Sequence, residues 1–413
     1  MPAPHPAAPP IPRRAFGALR HRNFRLFLGG QFVSLCGTWM QTLALGWLVL
    51  EITNSAALVG LVTALGAAPI LAFTLYGGVI ADRVNKRRAL MLLQTGMLLD
   101  AALLGTLTVL GQVTPAWIMA LAVVHGTLAA FEIPIRQAFL MDLVGRDDLM
   151  NAIALNSSAF NLSRVFGPAL AGGVLATLGA AACFYLNAAS FLAVLWALSQ
   201  IVVPGGGVPQ RDRPRARLAD GLAYVRGNPW ARTLVAVTAT VGIFGSALVA
   251  LLPVYARDVL GTGAGGYGGL SAAFGVGAAS GALLVAWVGH RLARGPVALG
   301  AAAGLGLGLA LIALSRFYPV SLLLLVVTGL AMALNAIMTN STLQLEAPDH
   351  LRGQVVGIYA MIVVGIAPLG ALPAGWLADR IGLAAVMGIS GLLVTAAAGA
   401  GWGARREKAG VAV

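Results

Sequence analysis

Five ionisable side chains interrupt the long apolar stretches of this sequence. On one stretch, His125, Glu132 and Arg136 are seven and four residues apart, a spacing that puts them on one face of a helix. Asp100 and Arg164 lie inside two other apolar stretches. Because a charge at mid-bilayer costs roughly 2.5 to 3.5 kcal/mol even on insertion scales, such residues usually move protons, bind ions or pair with one another. We therefore expect Glu132 to be either a proton-binding carboxylate or the partner of Arg136 in a structural ion pair.

The other charged residues also leave alternatives open. Asp100 could be structural, with its carboxylate directed to a polar neighbour. His125 could be a hydrogen-bonded packing residue, and Arg164 could pair with Glu132 or Asp100. The sequence alone does not decide between these arrangements.

The sequence around these residues is typical of a membrane protein. The chain has 413 residues, of which 59% are hydrophobic and only 10% are charged, with a mean hydropathy of +0.86. Soluble domains carry about 25% charged residues, so this chain lacks the polar residues to cover itself in water. Its apolar runs reach about 20 residues or more, the length of a membrane-crossing helix, and lack the alternation of a membrane β-barrel. Soluble enzymes, fibrous proteins and porins are thereby excluded.

Charges, glycines and prolines divide the apolar sequence into twelve predicted helical spans. A polar, Arg-rich stretch separates the first six spans from the last six. The predicted spans are 24–50, 57–81, 89–111, 115–140, 149–178, 181–203, 233–256, 267–289, 297–315, 319–345, 353–378 and 383–404.

A weak internal repeat supports a division of the chain into two halves. Asp147 and Leu149, between spans 4 and 5, recur 202 residues later as Asp349 and Leu351, between spans 10 and 11. Two six-helix repeats around a midplane site are a known transporter architecture. We therefore predict an all-α membrane protein of twelve transmembrane helices in two pseudo-symmetric six-helix halves. Its predicted parts are a disordered Pro- and Arg-rich tail (1–23), an N-terminal half (24–203), a linker (204–232), a C-terminal half (233–404) and a second tail (405–413).

The distribution of basic residues predicts the orientation of the spans. Of the 27 lysines and arginines, 22 fall in the two tails and in the loops that follow even-numbered spans, which all lie on one side of the membrane. Only Arg257, Arg316 and Arg380 fall on the opposite side. By the positive-inside rule, both termini and the central linker are cytoplasmic. The net charge of +13 is thus a topological signal, and no nucleic-acid partner is needed to explain it.

The connection between spans 2 and 3 is a basic turn, GGVIADRVNKRRAL, from Gly77 to Leu90. It resembles the G-x-x-x-D-R-x-G-R-K motif of the major facilitator superfamily, with Asn85 in place of a glycine. The resemblance implies a cytoplasmic gate, in which Asp82 reaches the exposed amides at the start of span 11 and Arg87 pairs with Asp142. The alternative is a basic turn that only sets topology. The gating candidates are Gly78, Asp82, Arg83, Asn85, Lys86, Arg87 and Asp142.

Longer segments are similar to the transmembrane secretion effector or enterobactin-exporter-like branch of that superfamily. They are Ser34–Gly60, Glu132–Gly173 and Cys183–Val194, and the match is denser in the first half of the chain than in the second. Membership implies alternating access and export of a small molecule, usually coupled to protons.

Span 5 carries a further motif, GPALAG, at Gly167, Pro168 and Gly172. It resembles the antiporter motif G-P-x-x-G-G, with Ala171 replacing one glycine, and so implies drug-antiporter-like export. The alternative is ordinary packing of small residues between helices.

The resemblance also ranks the candidate site residues. Spans 1 and 4 line the central cavity of the family and span 3 is peripheral, so Glu132 is the first choice for proton coupling. Thr38 stands where some relatives carry an acid in span 1, which places more weight on span 4. The proton-coupling candidates are Glu132, Asp100, His125, Arg136 and Arg164, and the candidate cavity residues, at helical spacing in spans 1 and 10, are Gln31, Thr38, Gln41, Asn335 and Thr339.

Several patterns that are typical of enzymes lack the context that their chemistry needs. The G-x-G-x-x-G sequence at 261–266 follows a membrane span rather than a strand, and no histidine follows Ser390 to act as its base. The segment GWLADRIG, Gly375–Gly382, mimics the span 2/3 motif but falls on the outer side, where we expect a turn.

The sequence therefore predicts a secondary active transporter rather than an enzyme. We expect a monomeric, multi-pass protein of the cell inner membrane that exports a small lipophilic molecule or a siderophore in a proton-coupled cycle. Its partners are then a small-molecule substrate, protons and the lipid bilayer, with no cofactor or metal. The alternatives are a lysolipid flippase, a solute importer on the same fold, or a membrane sensor that does not transport.

Overall fold

The computed structural model describes residues 16–81, 83–202, 218–348 and 350–410. Within these ranges the chain is helical and contains no strand. Ten helices are long and apolar enough to cross a membrane, and one of them, Pro115–Gln200, is divided below into α4, α5 and α6. The others are α1 (Arg22–Thr53), α2 (Ala56–Ala81), α3 (Lys86–Val109), α7 (Pro229–Val259), α8 (Ala264–Val288), α9 (Arg294–Leu314), α10 (Tyr318–Glu346), α11 (Arg352–Ile381) and α12 (Leu383–Gly410).

Two glycines divide the long element into three helices. Gly145 (φ 73°) and Gly179 (φ 81°) adopt a backbone conformation that residues with a Cβ rarely tolerate. They separate α4 (115–144), α5 (146–178) and α6 (180–200), so the described residues contain twelve apolar helices. Each predicted span matches one of them to within four residues, except that α12 ends six residues later than predicted. The prediction of an all-α membrane protein is confirmed.

The predicted tails and linker contain more helix than expected. A short 3-10 helix, Gly17–Arg20, precedes α1, and α12 runs into the predicted C-terminal tail. The predicted linker contains a helix, Leu218–Gly227, and α7 begins at Pro229, inside its predicted range. The remainder of these segments, 1–15, 203–217 and 411–413, lies outside the described residues.

The packing differs between the two sides of the molecule. We call the side of the α2–α3 and α4–α5 connections the inner side, α1–α6 the first half and α7–α12 the second half. The largest buried cluster joins both halves, with Leu48 of α1 and Leu252 of α7 among its members. The buried cluster around Phe24, Phe27 and Phe139, at the inner end of the first half, contains residues of that half only. Apolar burial therefore holds the halves together mainly away from the inner side.

Two helices of the second half contain π-helical turns. They are Val241–Gly245 and Tyr255–Val259 in α7 and Met361–Ile366 in α11. The last precedes Pro368, whose missing N–H cannot continue the hydrogen-bond ladder of an α-helix. Such turns interrupt α-helices frequently at functional sites, and two of these, Val241–Gly245 and Met361–Ile366, adjoin residues that line the cavity described next.

Candidate functional site

A cavity of about 400 Å³ lies between the two halves. Its walls come from α1–α5 and from α7, α8, α10 and α11, and most of them are aliphatic. This volume is within the range of roughly 300 to 1,000 Å³ that small-molecule sites occupy. The polar and charged lining residues are Thr38, Gln41, Thr42, Thr63, Asp100, His125, Arg164, Ser246 and Tyr267.

Two of the five predicted cavity residues line this space. Thr38 and Gln41 do so, and Asn187 of α6 holds Gln41 by donating its side-chain N–H to Gln41 Oε1 at 2.7 Å. The other three, Gln31, Asn335 and Thr339, are buried away from the cavity lining. Helical spacing identifies the polar face of a helix, but it does not tell how far along the helix the cavity extends.

Asp100 and His125 form a pair in the cavity wall. His125 Nδ1 lies 3.3 Å from Asp100 Oδ2, which joins α3 to α4. The Asp100 side chain is only 2% exposed, and its other oxygen, Oδ1, has no hydrogen-bond partner among the described residues. Among the residues that the structure describes, Asp100 is also the one acidic residue in the lining of this cavity. This pairing could not be predicted from the sequence, because the two residues are 25 positions apart on neighbouring helices.

Glu132 and Arg136 form a second pair, which lies outside the cavity lining. Arg136 Nε donates to Glu132 Oε1 at 2.8 Å, and Gln94 of α3 donates to the same oxygen at 3.4 Å. All three side chains are buried. This geometry is the i, i+4 ion pair that the sequence offered as the alternative to a role in proton coupling.

Arg164 of α5 pairs with neither Glu132 nor Asp100. Its guanidinium carbon lies 5.4 Å from the centre of the Trp39 ring, and both side chains line the cavity. Trp39 also makes an edge contact with Phe160, and the centres of the two rings are 5.9 Å apart. A cation over an indole face is favourable, but it leaves the N–H donors of the guanidinium free.

The motif in α5 brings three helices close together. A Cβ on Gly167 would lie 2.5 Å from the Cβ of Trp39 in α1, and a Cβ on Gly172 would lie 2.8 Å from the Cα of Gly268 in α8. Pro168 is buried between these two glycines. Small residues thus allow α5 to contact α1 and α8 almost backbone to backbone. Because α8 belongs to the second half, the motif contributes to the contact between the halves.

A carboxylate of the second half caps a helix of the first half on the outer side. Asp379 Oδ1 accepts the N–H of Ala56 at 2.8 Å, while Oδ2 accepts the Ser55 hydroxyl at 2.7 Å and the N–H of Ala57 at 3.0 Å. These donors are at the N-terminus of α2, where free N–H groups favour a negative charge. The prediction of a turn at Gly375–Gly382 is wrong for most of that segment, because α11 continues helical to Ile381.

Further contacts close the same seam between the halves, which we call the outer seam. Arg257 of α7 donates to Leu50 O at 3.1 Å and to Asn54 Oδ1 at 2.6 Å, at the C-terminus of α1. A Cβ on Gly60 would collide with the carbonyl oxygen of Ala371, so α2 and α11 touch here without side chains between them. The outer seam is therefore closed by hydrogen bonds and by direct backbone packing.

The gating candidates lie on the inner side, where Asp82 itself is outside the described residues. Lys86, rather than Arg87, meets Asp142, with Nζ 2.8 Å from Oδ2. Arg87 instead donates to the backbone oxygens of Leu198 and Ser199 in α6. Lys86 rather than Arg87 reaches Asp142 because α3 begins at residue 86. The two successive side chains therefore lie on different faces of the first turn of α3.

Of the other described members of this motif, Gly78 lies near the end of α2, and Arg83 and Asn85 belong to the turn before α3. Asn85 is the N-cap of α3 and accepts the N–H of Arg88 at 3.0 Å. Arg83 is exposed, and Gly78 has open space where a Cβ would be. The contacts of Lys86 and Arg87 with α4 and α6 therefore attach the turn to the first half.

Four polar lining residues were not predicted from the sequence. One is Thr63 of α2, whose hydroxyl donates to Val59 O at 2.9 Å. Thr42 follows the predicted Gln41, Ser246 donates to Ala367 O at 2.7 Å, and Tyr267 stacks on Trp47 with ring centres 6.0 Å apart. Thr42 and Ser246 had no signal beyond their polarity. Tyr267 could have been found as an aromatic residue beside a run of glycines, which allows helices to approach closely.

Comparisons with known proteins agree with this architecture. The family described as transmembrane secretion effector matches residues 13–408. The chain is 30% identical to the multidrug efflux pump Tap of Mycolicibacterium fortuitum, over 87% of this chain and 90% of the relative. It is 27% identical to the staphyloferrin A transporter of Staphylococcus aureus, over 90% of this chain and 94% of the relative. Its fold is similar to the crystal structure of a bacterial homologue of the human lysosomal transporter Spinster in an inward-facing, unoccupied conformation. That similarity has a TM-score of 0.70 at 15% identity, and covers 93% of this chain and 97% of the other.

Proposed function

The chain belongs to the transmembrane secretion effector family of the major facilitator superfamily, and we propose that it exports a small lipophilic molecule or a siderophore across the inner membrane. One observation supports this most directly. The cavity between the halves is mainly aliphatic, yet has a carboxylate and an imidazole in its wall. Aliphatic walls suit a lipophilic substrate, and a titratable pair beside it suits a proton-coupled cycle. The names of the two relatives, an efflux pump and a siderophore transporter, agree with this substrate range.

We propose that Asp100 and His125 carry the proton. Asp100 lines the cavity and has one oxygen without a partner among the described residues, so it can bind a proton or exchange one with the substrate site. Glu132, which the resemblance ranks first, has its charge compensated by Arg136 outside the cavity lining. Loss of the Glu132 charge would leave Arg136 buried without its counter-charge, so we place the proton on Asp100 instead.

The orientation and the division into halves are part of the same proposal. The inner side is cytoplasmic, with both termini there, because most of the basic residues fall on that side. The two six-helix halves move as units about the cavity. One chain suffices, since all of the walls of the cavity come from a single molecule.

Alternating access requires that the two halves separate on one side while they meet on the other. The outer seam, with Asp379 on the N-terminus of α2, supports the assignment of this conformation to the outward-closed state. Asp82 would have the corresponding role on the inner side, at the start of α11, once the inner ends meet. The two carboxylates would then stabilise opposite states of the cycle.

Asp379→Asn is expected to loosen the outer seam. It removes the charge at the helix N-terminus and one of the two accepting oxygens, a loss of up to about 2 kcal/mol, or up to roughly thirtyfold in the open-to-closed ratio. A cysteine at Val59, in a background without Cys36 and Cys183, would report this as faster labelling by an impermeant maleimide added to right-side-out vesicles. Glu51→Gln is the matched control, since Glu51 is an exposed acid at the C-terminal end of α1, which is the end at the outer seam. Equal labelling of both variants would mean that Asp379 does not hold the seam.

Export is tested with inverted membrane vesicles and the neutral dye N-phenyl-1-naphthylamine. Vesicles that contain the protein are expected to accumulate the dye several-fold faster than vesicles without it when the lumen is acidified, since each pH unit of the gradient supplies about 1.4 kcal/mol per proton. Collapse of the gradient by a protonophore should remove the difference. Accumulation in right-side-out vesicles instead would indicate an importer, and no gradient dependence in either would contradict proton coupling.

A further inference from the structure

Arg164 is a cation in the cavity wall without a counter-charge. Its guanidinium makes no ion pair and no hydrogen bond with any residue in the described part of the chain, and its contact is with the face of Trp39. Every other charged residue of the cavity wall has a partner, because Asp100 and His125 meet each other. Arginines placed in a low-dielectric interior are normally paired or hydrogen-bonded, so an unpaired one requires an explanation.

A purely structural role does not account for the position of this side chain. The carboxylates that could have neutralised it, Asp100 and Glu132, are each engaged elsewhere. A packing role would not need a charge, and the apolar walls around it gain nothing from one. The contact with Trp39 orients the guanidinium, and it leaves the edge of the group free for a ligand.

We propose that Arg164 binds an anionic group of the transported molecule, and that the substrate class is therefore an apolar body carrying a carboxylate, sulfonate, phosphate or catecholate. This inference rests on the proposed function and specifies its substrate. A guanidinium offers two parallel N–H donors that match such groups, and the bond is stronger in a site with little water. Trp39 contributes the orienting surface, and the substrate supplies the charge that the protein does not.

The remaining walls are consistent with an apolar body attached to that group. Aliphatic side chains such as Leu45, Val49 and Val62 line the cavity together with Trp39. The negative charge of Asp100 does not reverse the preference of this site for an anionic group. The Asp100 side chain is only 2% exposed, whereas the His125 side chain beside it is 25% exposed. The charge that a ligand meets in the cavity is therefore mainly that of Arg164.

Two dyes with the same aromatic body test this assignment. N-phenyl-1-naphthylamine is neutral, and 1-anilinonaphthalene-8-sulfonate differs from it by one sulfonate. Binding of both is measured by fluorescence titration with the full chain in phosphatidylcholine nanodiscs, against empty nanodiscs. Arg164→Gln is expected to weaken binding of the sulfonate by about tenfold or more, with little effect on the neutral dye. Arg164→Lys, which keeps the charge and loses the planar fork, should give an intermediate loss.

The outcomes separate this inference from the proposed function. Unchanged sulfonate binding in Arg164→Gln, or an equal loss for both dyes, would overturn the anion site, while gradient-driven export of the neutral dye would still support the proposed function. If the neutral dye binds normally to the variant, the cavity is folded, so a selective loss of the sulfonate is not misfolding. Added phosphatidylglycerol that displaces the sulfonate would identify a lipid headgroup as the anion, and displacement only by soluble anions would identify a soluble substrate.

Discussion

Asp100→Asn is expected to reduce gradient-driven accumulation of N-phenyl-1-naphthylamine in inverted vesicles to the level seen when the gradient is collapsed. The substitution preserves the shape of the side chain and removes the one titratable acid in the cavity lining. His125 loses its acidic partner at the same time, so no carboxylate among the described lining residues is left to carry the proton. The transport cycle would still exchange substrate, but the proton gradient would no longer drive it.

Substrate exchange in the absence of a gradient is the internal control for this variant. Dye preloaded in the lumen should still exchange with dye outside, because alternating access does not need the proton if the carboxylate is permanently neutral. Glu51→Gln, which removes an exposed acid outside the cavity, should behave as the unmodified protein. Gradient-driven accumulation that persists in Asp100→Asn would show that another group carries the proton.

The twelve helices could be predicted because the bilayer restricts the possible structures. Apolar runs in a membrane protein must satisfy their backbone groups internally, so each becomes a helix whose length follows from the bilayer thickness. Gly145 and Gly179 fall between predicted spans, where the chain has to reverse. The helical ends were harder to predict, as α12 shows, because its final turns are polar and hydropathy does not detect them.

The pairing of charges between different helices could not be predicted, because it depends on how helices rotate against one another. Helical spacing put His125, Glu132 and Arg136 on one face of α4, yet only His125 lines the cavity. Towards its inner end α4 packs against α3, and there Glu132 meets Gln94 rather than the cavity. A single face of one helix can thus contact different neighbours along its length.

The role of Asp379 has the same explanation at longer range. The sequence of its segment resembles the span 2/3 motif, and the outer position led to the expectation of a turn. Its partners, Ser55, Ala56 and Ala57, are more than 320 positions away in the chain. A similar motif therefore occurs on both sides of the membrane, and only the tertiary structure reveals which helix N-terminus its carboxylate caps.

Glu132→Gln is expected to destabilise the protein without removing the dependence of transport on protons. Arg136 would remain buried without its counter-charge, and the loss of one partner of a buried ion pair costs about 3 to 5 kcal/mol. We expect the lower end of this range, because the Gln oxygen can still accept the Arg136 N–H. Thermal unfolding in detergent measures the loss, and transport is normalised to the folded protein.

A double variant separates the structural pair from a site of proton coupling. Glu132→Met together with Arg136→Leu removes both charges, and replacement of a buried ion pair by apolar residues is often neutral or stabilising. If the pair is structural, the double variant should recover most of the stability lost in Glu132→Gln and accumulate dye in response to the gradient. If Glu132 carries the proton, the double variant would be stable but uncoupled, and Asp100→Asn would remain coupled. The two assignments of the proton thus predict opposite results in the same vesicles. Their physical basis is that Asp100 faces the substrate cavity, whereas Glu132 faces the positive charge of Arg136.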